Sequence, residues 1–409
     1  MAASPANIAL DSNALAILRE ATLSRTPVSL GRRRTSSPHE FYRYPARFSP
    51  GFVRATIEAF SQPHDLVIDP FVGGGTTAIE ALIACRRSLV ADLNPLATFV
   101  TRVKTTPLQL RSQTVVRNWL NGLSEITLLN QTTPTIEGWA ERGYLKDLET
   151  RLTWRITKVV RLALTAVDQS DKAASAFCRC IVLRTAQWAL DMRSSIPTVH
   201  EFRAALIEHG EAMLDTTIEF TKSLPKPRYL PYVVDRGLPG LADEVGQLGL
   251  GPPALIVTSP PYPGVYVNYH RWKLLGRREI RAAYWITDQP DGNGLAHYTM
   301  HARADRTLDT YFSRLHSAFE DLARLAGPLT MVVQLVGFSD PLVQLPRYLR
   351  AMTMSGFGEM LIPDLATNDD GRLWRSVPGR RWWTEARSRK VIAPYTAQEV
   401  VLIHRLAPV

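Results

Sequence analysis

One stretch constrains the fold of this 409-residue chain more than any other: DLVIDPFVGGGTTAIEALIACRRSLVADLNPLA, residues 65–97. Residues 66–68 predict a short buried strand, which Asp69 ends. Three glycines follow at 73–75, where the backbone can turn sharply and approach a ligand closely. The stretch therefore begins as a strand that runs directly into a glycine turn.

A helix and a second strand follow that turn. Residues 78–84 have the composition of a helix, and Thr76 and Thr77 are its expected N-terminal caps. Residues 88–91 predict the second strand, which Asp92 ends. Strand, glycine turn, helix, strand and acid is the order found in the mononucleotide-binding half of a doubly wound α/β sheet.

The acids at the two strand ends indicate which ligand the turn suits. A carboxylate directly before the glycines would repel the pyrophosphate that a nicotinamide dinucleotide places there. It suits a cationic ligand instead, and S-adenosylmethionine carries an ammonium group and a sulfonium but no phosphate. Asp92 is placed to accept hydrogen bonds from ribose hydroxyls.

A second informative stretch is LIVTSPPYPGVY, residues 255–266. Residues 255–257 predict another buried strand. Pro260 and Pro261 end it, because neither supplies a backbone N–H to a sheet. The chain therefore leaves the sheet in a stiff, extended form, with Ser259 and Tyr262 on either side of the prolines.

Basic residues are concentrated in three segments. Residues 32–47, 264–306 and 372–390 carry net charges of +4, +3 and +6, which together exceed the +10 of the whole chain. Each segment also contains Tyr or Trp. This mixture suits contacts to phosphates together with stacking on nucleobases.

The remaining composition excludes several classes of protein. Three cysteines argue against a disulfide framework and favour a reducing cytoplasm. No clustering of His or Cys predicts a metal site. No apolar run approaches the ~20 residues that span a bilayer, and the N-terminus lacks an export signal.

Both informative stretches resemble motifs of the S-adenosylmethionine-dependent DNA amino-methyltransferases. DPFVGGGTT is similar to that family's cofactor motif, with Gly74 where serine is common. TSPPY is similar to its catalytic motif, in the form typical of cytosine-N4 enzymes. YPARFSP, residues 44–50, is similar to the segment that closes over the methionine end of the cofactor, and Asp235 matches by position the acid that meets the adenine edge.

The resemblance implies the catalytic and the cofactor-binding residues, and the position of the basic, aromatic segments provides the candidates for DNA contacts. The catalytic residues would be Ser259, Pro260, Pro261 and Tyr262. The residues that bind S-adenosylmethionine would be Tyr44, Arg47, Phe48, Asp69, Phe71, Gly73, Gly75, Thr76, Thr77, Asp92, Asn94 and Asp235. Contacts to DNA would come from Tyr266, Tyr269, Arg271, Lys273, Arg380, Arg381, Trp382 and Trp383.

The resemblance also implies how such a site would work. The exocyclic amine of cytosine is a poor nucleophile, because its lone pair is delocalised into the ring. The Ser259 hydroxyl and the Pro260 carbonyl would accept its two hydrogens, and Tyr262 would stack on the base. Since the target atom lies inside a duplex, the nucleotide would have to be flipped out.

The expected fold is an α/β, doubly wound, roughly seven-stranded mixed sheet of the Rossmann-like methyltransferase type, with a helical insert. Residues 39–105 and 230–409 would form the catalytic domain. Residues 1–38 would be a partly flexible N-terminal arm, and residues 106–229 the insert.

Two segments are candidates for recognising the target sequence. One is the insert, where residues 144–167, 174–192 and 198–220 have helical spacing. Its net charge is only +3, so a scaffold or a self-association surface suits it equally well. The other is the loop at 364–396, which is rich in Arg and Trp.

The leading hypothesis is a cytoplasmic enzyme that methylates cytosine N4 at a specific site in double-stranded DNA, within a restriction–modification system and with a cognate endonuclease as a candidate partner. A DNA adenine-N6 methyltransferase is the nearest alternative, followed by an RNA base methyltransferase and a protein-glutamine methyltransferase. A non-catalytic DNA-binding module is the alternative from a different class. The sequence leaves open the recognition site and the choice between monomer and homodimer.

Overall fold

The computed structural model describes residues 11–24, 37–45, 47–125, 137–264, 271–292, 298–301, 307–377 and 397–408. Within these ranges the chain forms a main sheet of eight strands, a two-stranded hairpin and thirteen α-helices. The doubly wound α/β fold expected from the sequence is therefore confirmed, with eight strands where about seven were expected.

The strands are numbered in chain order. They are β1 (Leu66–Asp69), β2 (Arg87–Ala91), β3 (Tyr232–Val234), β4 (Leu255–Thr258), β5 (Trp272–Leu274), β6 (Arg278–Ile280), β7 (Met331–Gly337), β8 (Phe357–Glu359), β9 (Leu373–Val377) and β10 (Ala397–Leu406).

The main sheet has the order β3-β2-β1-β4-β7-β10-β8, and β9 pairs with β10 outside this path. The first five strands in that order are parallel, whereas β10 is antiparallel to its three neighbours. β5 and β6 form the separate hairpin. Because β1, β2 and β4 are parallel neighbours, their carboxyl ends meet at one edge of the sheet, where open α/β sheets bind ligands.

The α-helices are also numbered in chain order. They are α1 (Ser12–Leu23), α2 (Pro50–Phe60), α3 (Thr76–Ile83), α4 (Pro95–Thr105), α5 (Leu110–Gly122), α6 (Glu137–Glu141), α7 (Trp154–Thr165), α8 (Lys172–Leu190), α9 (Val199–Ser223), α10 (Leu241–Gln247), α11 (Ala282–Thr287), α12 (Asp309–Leu325) and α13 (Pro341–Met354). In the described part of the chain, no helix is both long enough and apolar enough to cross a membrane.

Alternate side chains of the central strands pack on opposite faces of the sheet. Leu66 and Ile68 of β1 belong to one apolar cluster with α10, α12 and α13, whereas Val67 belongs to another with α1 and α2. All three side chains are almost completely buried. Burial of such a side chain contributes roughly 1.5–3 kcal/mol, so the continuous apolar runs of β1 and β4 belong at the centre of the sheet.

The helices between β2 and β3 form a third apolar cluster, to which α5, α7, α8 and α9 contribute. Helices α8 and α9 lie within a few residues of the segments expected from spacing, but the helix expected from residue 144 begins only at Trp154. Residues 144–153 form turns instead. Thr153 and Thr157 both donate their hydroxyls to the Leu148 carbonyl, at 2.8 and 2.7 Å, and such local bonds compete with helix formation.

Two segments contain regular elements that the sequence did not predict. The segment 1–38 contains α1, whose Leu15 and Leu18 are buried against α2, so this part of the expected arm is packed into the core. The expected loop at 364–396 contains β9, which pairs with β10. Residues 378–396 lie outside the described part of the chain.

Candidate functional site

The glycine turn joins β1 to α3. Gly73 and Gly75 have φ of +51° and +84°, which residues with a side chain rarely adopt. Gly75 occupies the N-cap position of α3 in this left-handed conformation, so the expected cap by Thr76 or Thr77 is wrong. Both threonines lie inside the first helical turn, and the Thr77 hydroxyl donates to Asp69.

Other side chains pack directly against the backbone of this turn. A Cβ added to Gly74 would lie 3.0 Å from Tyr44 Cβ, and one added to Gly75 would lie 2.8 Å from Thr101 Oγ1. The close approach of Tyr44 accounts for glycine at position 74, where the resembling motif commonly has serine. The turn is therefore shaped by its neighbours as well as by its own glycines.

The Asp69 carboxylate joins the glycine turn to the strand that precedes Ser259. Its Oδ1 accepts from the Thr258 hydroxyl at 2.7 Å and from the Phe71 N–H at 3.1 Å, and its Oδ2 accepts from the Thr77 hydroxyl at 2.5 Å. Thr258 lies 189 positions after Asp69 in the sequence. One carboxylate thus holds together the two stretches that the sequence singled out.

This geometry corrects the role expected for Asp69. Its side chain is completely buried, and burial raises its pKa to about 6, against the lowering effect of the three hydrogen bonds that it accepts. The carboxylate is therefore turned into the protein and does not face a ligand. Its contribution is to hold both turns in place.

The proline turn after β4 is fixed from outside as well as by its own rings. Pro260 and Pro261 are buried, and the Pro261 carbonyl accepts from the Tyr311 hydroxyl of α12 at 2.5 Å. Two residues further on, the Pro263 carbonyl accepts from the Ser339 hydroxyl at 3.3 Å. Helix α12 and the segment after β7 therefore both support this turn.

Ser259 and Tyr262 are half-buried and lie in contact, with 3.1 Å between their hydroxyl oxygens. The Ser259 hydroxyl is also within 2.9 Å of the Leu335 carbonyl on β7. The Tyr262 hydroxyl donates to Glu399 Oε1 at 3.1 Å, and Glu399 Oε2 accepts from Arg375 Nε at 2.8 Å. Sequence reasoning missed Glu399 and this role of Arg375, since no local pattern connects β9 and β10 with the proline turn.

Asp92 lies at the end of β2 on the same edge. Its Oδ2 accepts from the Gly73 N–H and its Oδ1 from the Asn94 N–H, both at 2.9 Å. Burial raises the pKa of Asp92 to about 6, and these two N–H groups act against that rise. The residue is half-buried, and a carboxylate oxygen can accept more than one hydrogen bond, so Asp92 can take further donors from a ligand.

The Asn94 side chain is almost completely buried and holds two tyrosines. Its Nδ2 donates to the Tyr44 hydroxyl at 2.9 Å, and its Oδ1 accepts from the Tyr284 hydroxyl at 3.0 Å. Asn94 therefore positions Tyr44 over the glycine turn. Tyr284 of α11 was not identified from the sequence, and only the fold brings it to this point.

Asp235 and Phe48 are engaged elsewhere. Asp235 follows β3, and its exposed carboxylate accepts from Arg102 Nη2 at 2.7 Å and from the Thr98 hydroxyl. Phe48 is buried against Phe52 of α2, with 5.6 Å between ring centroids. Of the YPARFSP segment, the structure thus brings Tyr44 and Arg47 to the glycine turn and directs Phe48 into the core.

Lys104 is a further residue that sequence reasoning missed. This buried side chain of α4 donates from Nζ to the carbonyls of Gly74, His39 and Tyr42, at 2.9, 3.2 and 3.4 Å. Burial lowers its pKa to about 7. Lys104 therefore fastens the segment before α2 to the glycine turn, and it borders a cavity of about 600 Å³ that Arg375 also lines.

The candidate DNA-contacting residues fall into two groups. Tyr266, Tyr269, Arg380, Arg381, Trp382 and Trp383 lie outside the described residues. Arg271 is half-buried and pairs with Glu279 at 3.3 Å across the β5–β6 hairpin. Lys273 is half-buried in β5, and its backbone N–H donates to Asp191 at 2.9 Å, so this hairpin is anchored at the end of α8.

The described residues fit S-adenosylmethionine in part. Asp92 can accept from ribose hydroxyls, and the glycine turn lets a ligand approach the backbone between Asp92 and Ser259. Asp69 cannot meet an ammonium group, because it is buried. Among the described residues, no three His, Cys, Asp or Glu side chains come together as a metal site.

Residues 26–97 match the sequence profile of a DNA methylase family of N6 and N4 methyltransferases. The chain is also 32% identical over 74 residues to the Type II methyltransferase M.MvaI of Kocuria varians. That alignment covers 17% of this chain and 16% of the relative, so the chain matches about a sixth of the relative's length. The profile match contains Tyr44 and the glycine turn and ends before the proline turn.

Among solved structures, the rRNA methyltransferase aviRa from Streptomyces viridochromogenes is similar over 93% of this chain and 96% of its own, at 9% identity and a TM-score of 0.34. A second structure of the same protein covers 76% of this chain and 85% of its own, at 8% identity and a TM-score of 0.31. Likeness at these TM-scores adds nothing to what the strand order already shows.

Proposed function

We propose that this chain is an S-adenosylmethionine-dependent methyltransferase that modifies the exocyclic N4 of cytosine in double-stranded DNA. The observation that carries the proposal is the Asp69 carboxylate, which holds Thr77 of the glycine turn and Thr258, the residue before Ser259. The two turns therefore open on the same edge of the sheet. A methyl donor at one turn and an acceptor amine at the other would meet there.

On this proposal, the cofactor is held by the glycine turn and by Asp92. The bound cofactor supplies an electrophilic methyl group on a sulfonium. Asp92 accepts from ribose hydroxyls, and Gly73 and Gly75 allow the ligand to approach the backbone. Tyr44 covers the turn, since Asn94 and the packing against Gly74 fix its ring there.

The proline turn prepares the target amine. Ser259 Oγ and the Pro260 carbonyl each accept one amine hydrogen, which directs the nitrogen lone pair toward the methyl group. Because the Tyr311 hydroxyl and the prolines fix the turn, these acceptors need no reorganisation when the base arrives. Methyl transfer would leave the cofactor as its neutral thioether and the amine as a cation, which is acidic enough to give its proton to water, so no strong base is required.

Cytosine N4 is proposed because Ser259 stands directly before the two prolines of TSPPY, and this Ser-Pro-Pro-Tyr form resembles cytosine-N4 enzymes. Base flipping brings the target to the turn. Arg271, Lys273 and the basic residues of 372–390 would contact the DNA backbone, and either 106–229 or 364–396 would read the target sequence. A role in restriction–modification is proposed on the match to a Type II methyltransferase.

The test is methyl transfer from labelled S-adenosylmethionine to duplex DNA, followed by digestion to nucleosides and mass spectrometry. We expect N4-methylcytosine. N6-methyladenine would overturn the base assignment while leaving the methyltransferase proposal intact, and label in RNA alone would overturn the DNA assignment. Binding of DNA without cofactor binding or transfer would favour the non-catalytic alternative.

The matched variants are Ser259→Ala and Ser223→Ala. Ser259→Ala removes one acceptor for the target amine, and we expect kcat to fall about 100-fold with cofactor affinity unchanged. Ser223 lies at the end of α9, where its hydroxyl donates to Phe220 within the same helix, so its variant should behave as the wild type. Equal kcat in both variants would contradict the role of Ser259.

A further inference from the structure

The first turn of α13 exposes apolar side chains at the edge of the sheet where the proline turn lies. Helix α13 follows β7, which runs parallel to β4 as its neighbour in the sheet. Leu342 is 89% exposed, more than any other large apolar side chain in the described part of the chain, and Val343 beside it is 57% exposed. Pro346, one turn further along α13, is also exposed. Contiguous apolar surface of this kind marks a binding surface.

Hydrogen bonds join this turn of α13 to the proline turn. The Ser339 hydroxyl donates to the Pro263 carbonyl at 3.3 Å, and Gln344 Nε2 donates to Ser339 Oγ at 2.8 Å. Residue 263 directly follows Tyr262 in the sequence. Leu342 therefore lies beside the proposed position of the target base, and a helix rather than a loop carries it there.

The exposure of Leu342 does not come from loose packing of its helix. Leu345, Tyr348 and Met352 of α13 are buried in the apolar cluster on that side of the sheet. Side chains four positions apart share a face of a helix, so Leu342 and Pro346 belong to the outer face. The inner face of α13 thus has its partner within the fold, whereas the apolar first turn is exposed.

The charges around this turn indicate the kind of partner. Helix α13 contains two arginines and no acidic residue, and Arg350 lies exposed on its outer face. The basic segment 264–306 begins against the same turn, since a Cβ added to Gly264 would lie 3.1 Å from Gln344 Nε2. Asp340, which precedes α13, caps the helix by accepting from a backbone N–H. Apolar side chains among basic residues suit a nucleic acid, whose phosphates attract the arginines and whose base stack admits an apolar wedge.

We propose that Leu342 is a DNA wedge: it enters the base stack of the duplex beside the proline turn and fills the space that the flipped nucleotide leaves. The inference rests on the proposed function and adds to it a residue that contacts the stack rather than the reacting atoms. A leucine brings no polar group that would lose its hydrogen bonds between bases. By filling the stack, it keeps the target nucleotide outside the duplex.

Leu342→Ala tests the wedge on two duplexes that differ only in the partner of the target base. The target site is first identified by sequencing plasmid DNA that the wild-type chain has methylated. One duplex then carries this site fully paired, and the other carries the target base opposite a mismatch, from which flipping costs less. We expect the single-turnover rate of methyl transfer to fall about tenfold on the paired duplex and less than twofold on the mismatched one.

Two further variants serve as controls. Leu329→Ala changes a leucine that is 56% exposed just before β7, at the opposite edge of the sheet, and it should match the wild type on both duplexes. Leu342→Met keeps a long apolar side chain and should restore most of the rate. Because Leu342 is exposed, none of these variants should change urea denaturation. Equal losses of Leu342→Ala on both duplexes, or no loss on the paired one, would overturn the proposal.

Sedimentation velocity distinguishes DNA from a second copy of the chain as the partner of this turn. An unchanged sedimentation coefficient in Leu342→Ala supports the proposal, whereas a wild-type dimer that this variant dissociates would overturn it. A wild-type chain that methylates neither duplex would overturn the proposed function, and the wedge with it. The comparison of the two duplexes decides on the wedge alone.

Discussion

The glycine turn after β1 and the proline turn after β4 lie at neighbouring strand ends and differ in what fixes their shape. Gly73 and Gly75 have left-handed φ values, and side chains from elsewhere in the fold pack against them, among them Tyr44 and Thr101. The prolines carry their restriction in their own rings. The glycine turn therefore keeps its shape only inside the folded protein. The proline turn is stiff even without its neighbours, because the proline rings restrict its backbone.

The difference suggests two kinds of damage. A side chain added to the glycine turn must displace its neighbours, so the loss should appear in the stability of the fold. A proline removed from the other turn should cost less stability, and on the proposed function it loosens the groups that would meet the amine. The predictions below separate these two effects.

The largest effect is expected for Gly75→Ala. Its Cβ would lie 2.8 Å from Thr101 Oγ1 and 3.2 Å from Thr101 Cα, at a φ of +84°. We expect a loss of about 2–3 kcal/mol in the free energy of unfolding, measured with urea. Gly246→Ala is the control, since its Cβ would meet nothing within 4 Å in α10, and it should stabilise by about 0.5 kcal/mol. Equal losses in the two variants would contradict the comparison.

A smaller effect, and on a different quantity, is expected for Pro260→Ala. The free energy of unfolding should fall by about 1–2 kcal/mol, because the unfolded chain gains freedom and the buried ring leaves a small cavity. On the proposed function, kcat should fall about tenfold, since the carbonyl of residue 260 is no longer held in place. Pro363→Ala, at an exposed site away from both turns, should lose up to about 1 kcal/mol of stability and no activity. A Pro260→Ala enzyme of full activity would show that proline stiffness is not used.

The smallest effect concerns Asp92, which belongs to the glycine side of the site. Burial raises its pKa to about 6, so it is ionised at pH 7.5 and mostly protonated at pH 5.5. Only the ionised form is a pure acceptor for ribose hydroxyls. The affinity for S-adenosylmethionine should therefore fall about fourfold as the pH falls between these values. Calorimetric titration of Asp92→Asn should show weaker binding with a flatter pH profile; an unchanged profile would assign the titration to another group.

Local signals predicted the centre of the fold. The apolar runs before Asp69 and Ser259 became β1 and β4, because a continuous branched run bounded by Gly or Pro fits a buried parallel strand. The glycine and proline turns could be recognised from the sequence because the backbone preferences of Gly and Pro are intrinsic to these residues. Their meeting at one edge followed from strand order, and the hydrogen bonds of Asp69 confirm that the two turns are neighbours.

The partners of these turns could not be predicted in the same way. Glu399 is one acid in a strand, Lys104 one lysine in a helix, and Asn94 one amide after a strand, and nothing nearby in the sequence indicates their contacts. For Thr76 and Thr77, by contrast, a local signal was present but predicted the wrong role. Their composition favours a cap, but the left-handed Gly75 takes that position and Asp69 recruits the Thr77 hydroxyl.

The bond between Asp69 and Thr258 also has a consequence for synthesis. The acceptor is made 189 residues before its donor, with helices α3 to α10 between them. At a translation rate of roughly 5–20 residues per second, Thr258 is synthesised roughly 10–40 seconds after Asp69. Asp69 gains that hydrogen bond only after Thr258 has left the ribosome. This edge of the sheet is therefore completed late in translation.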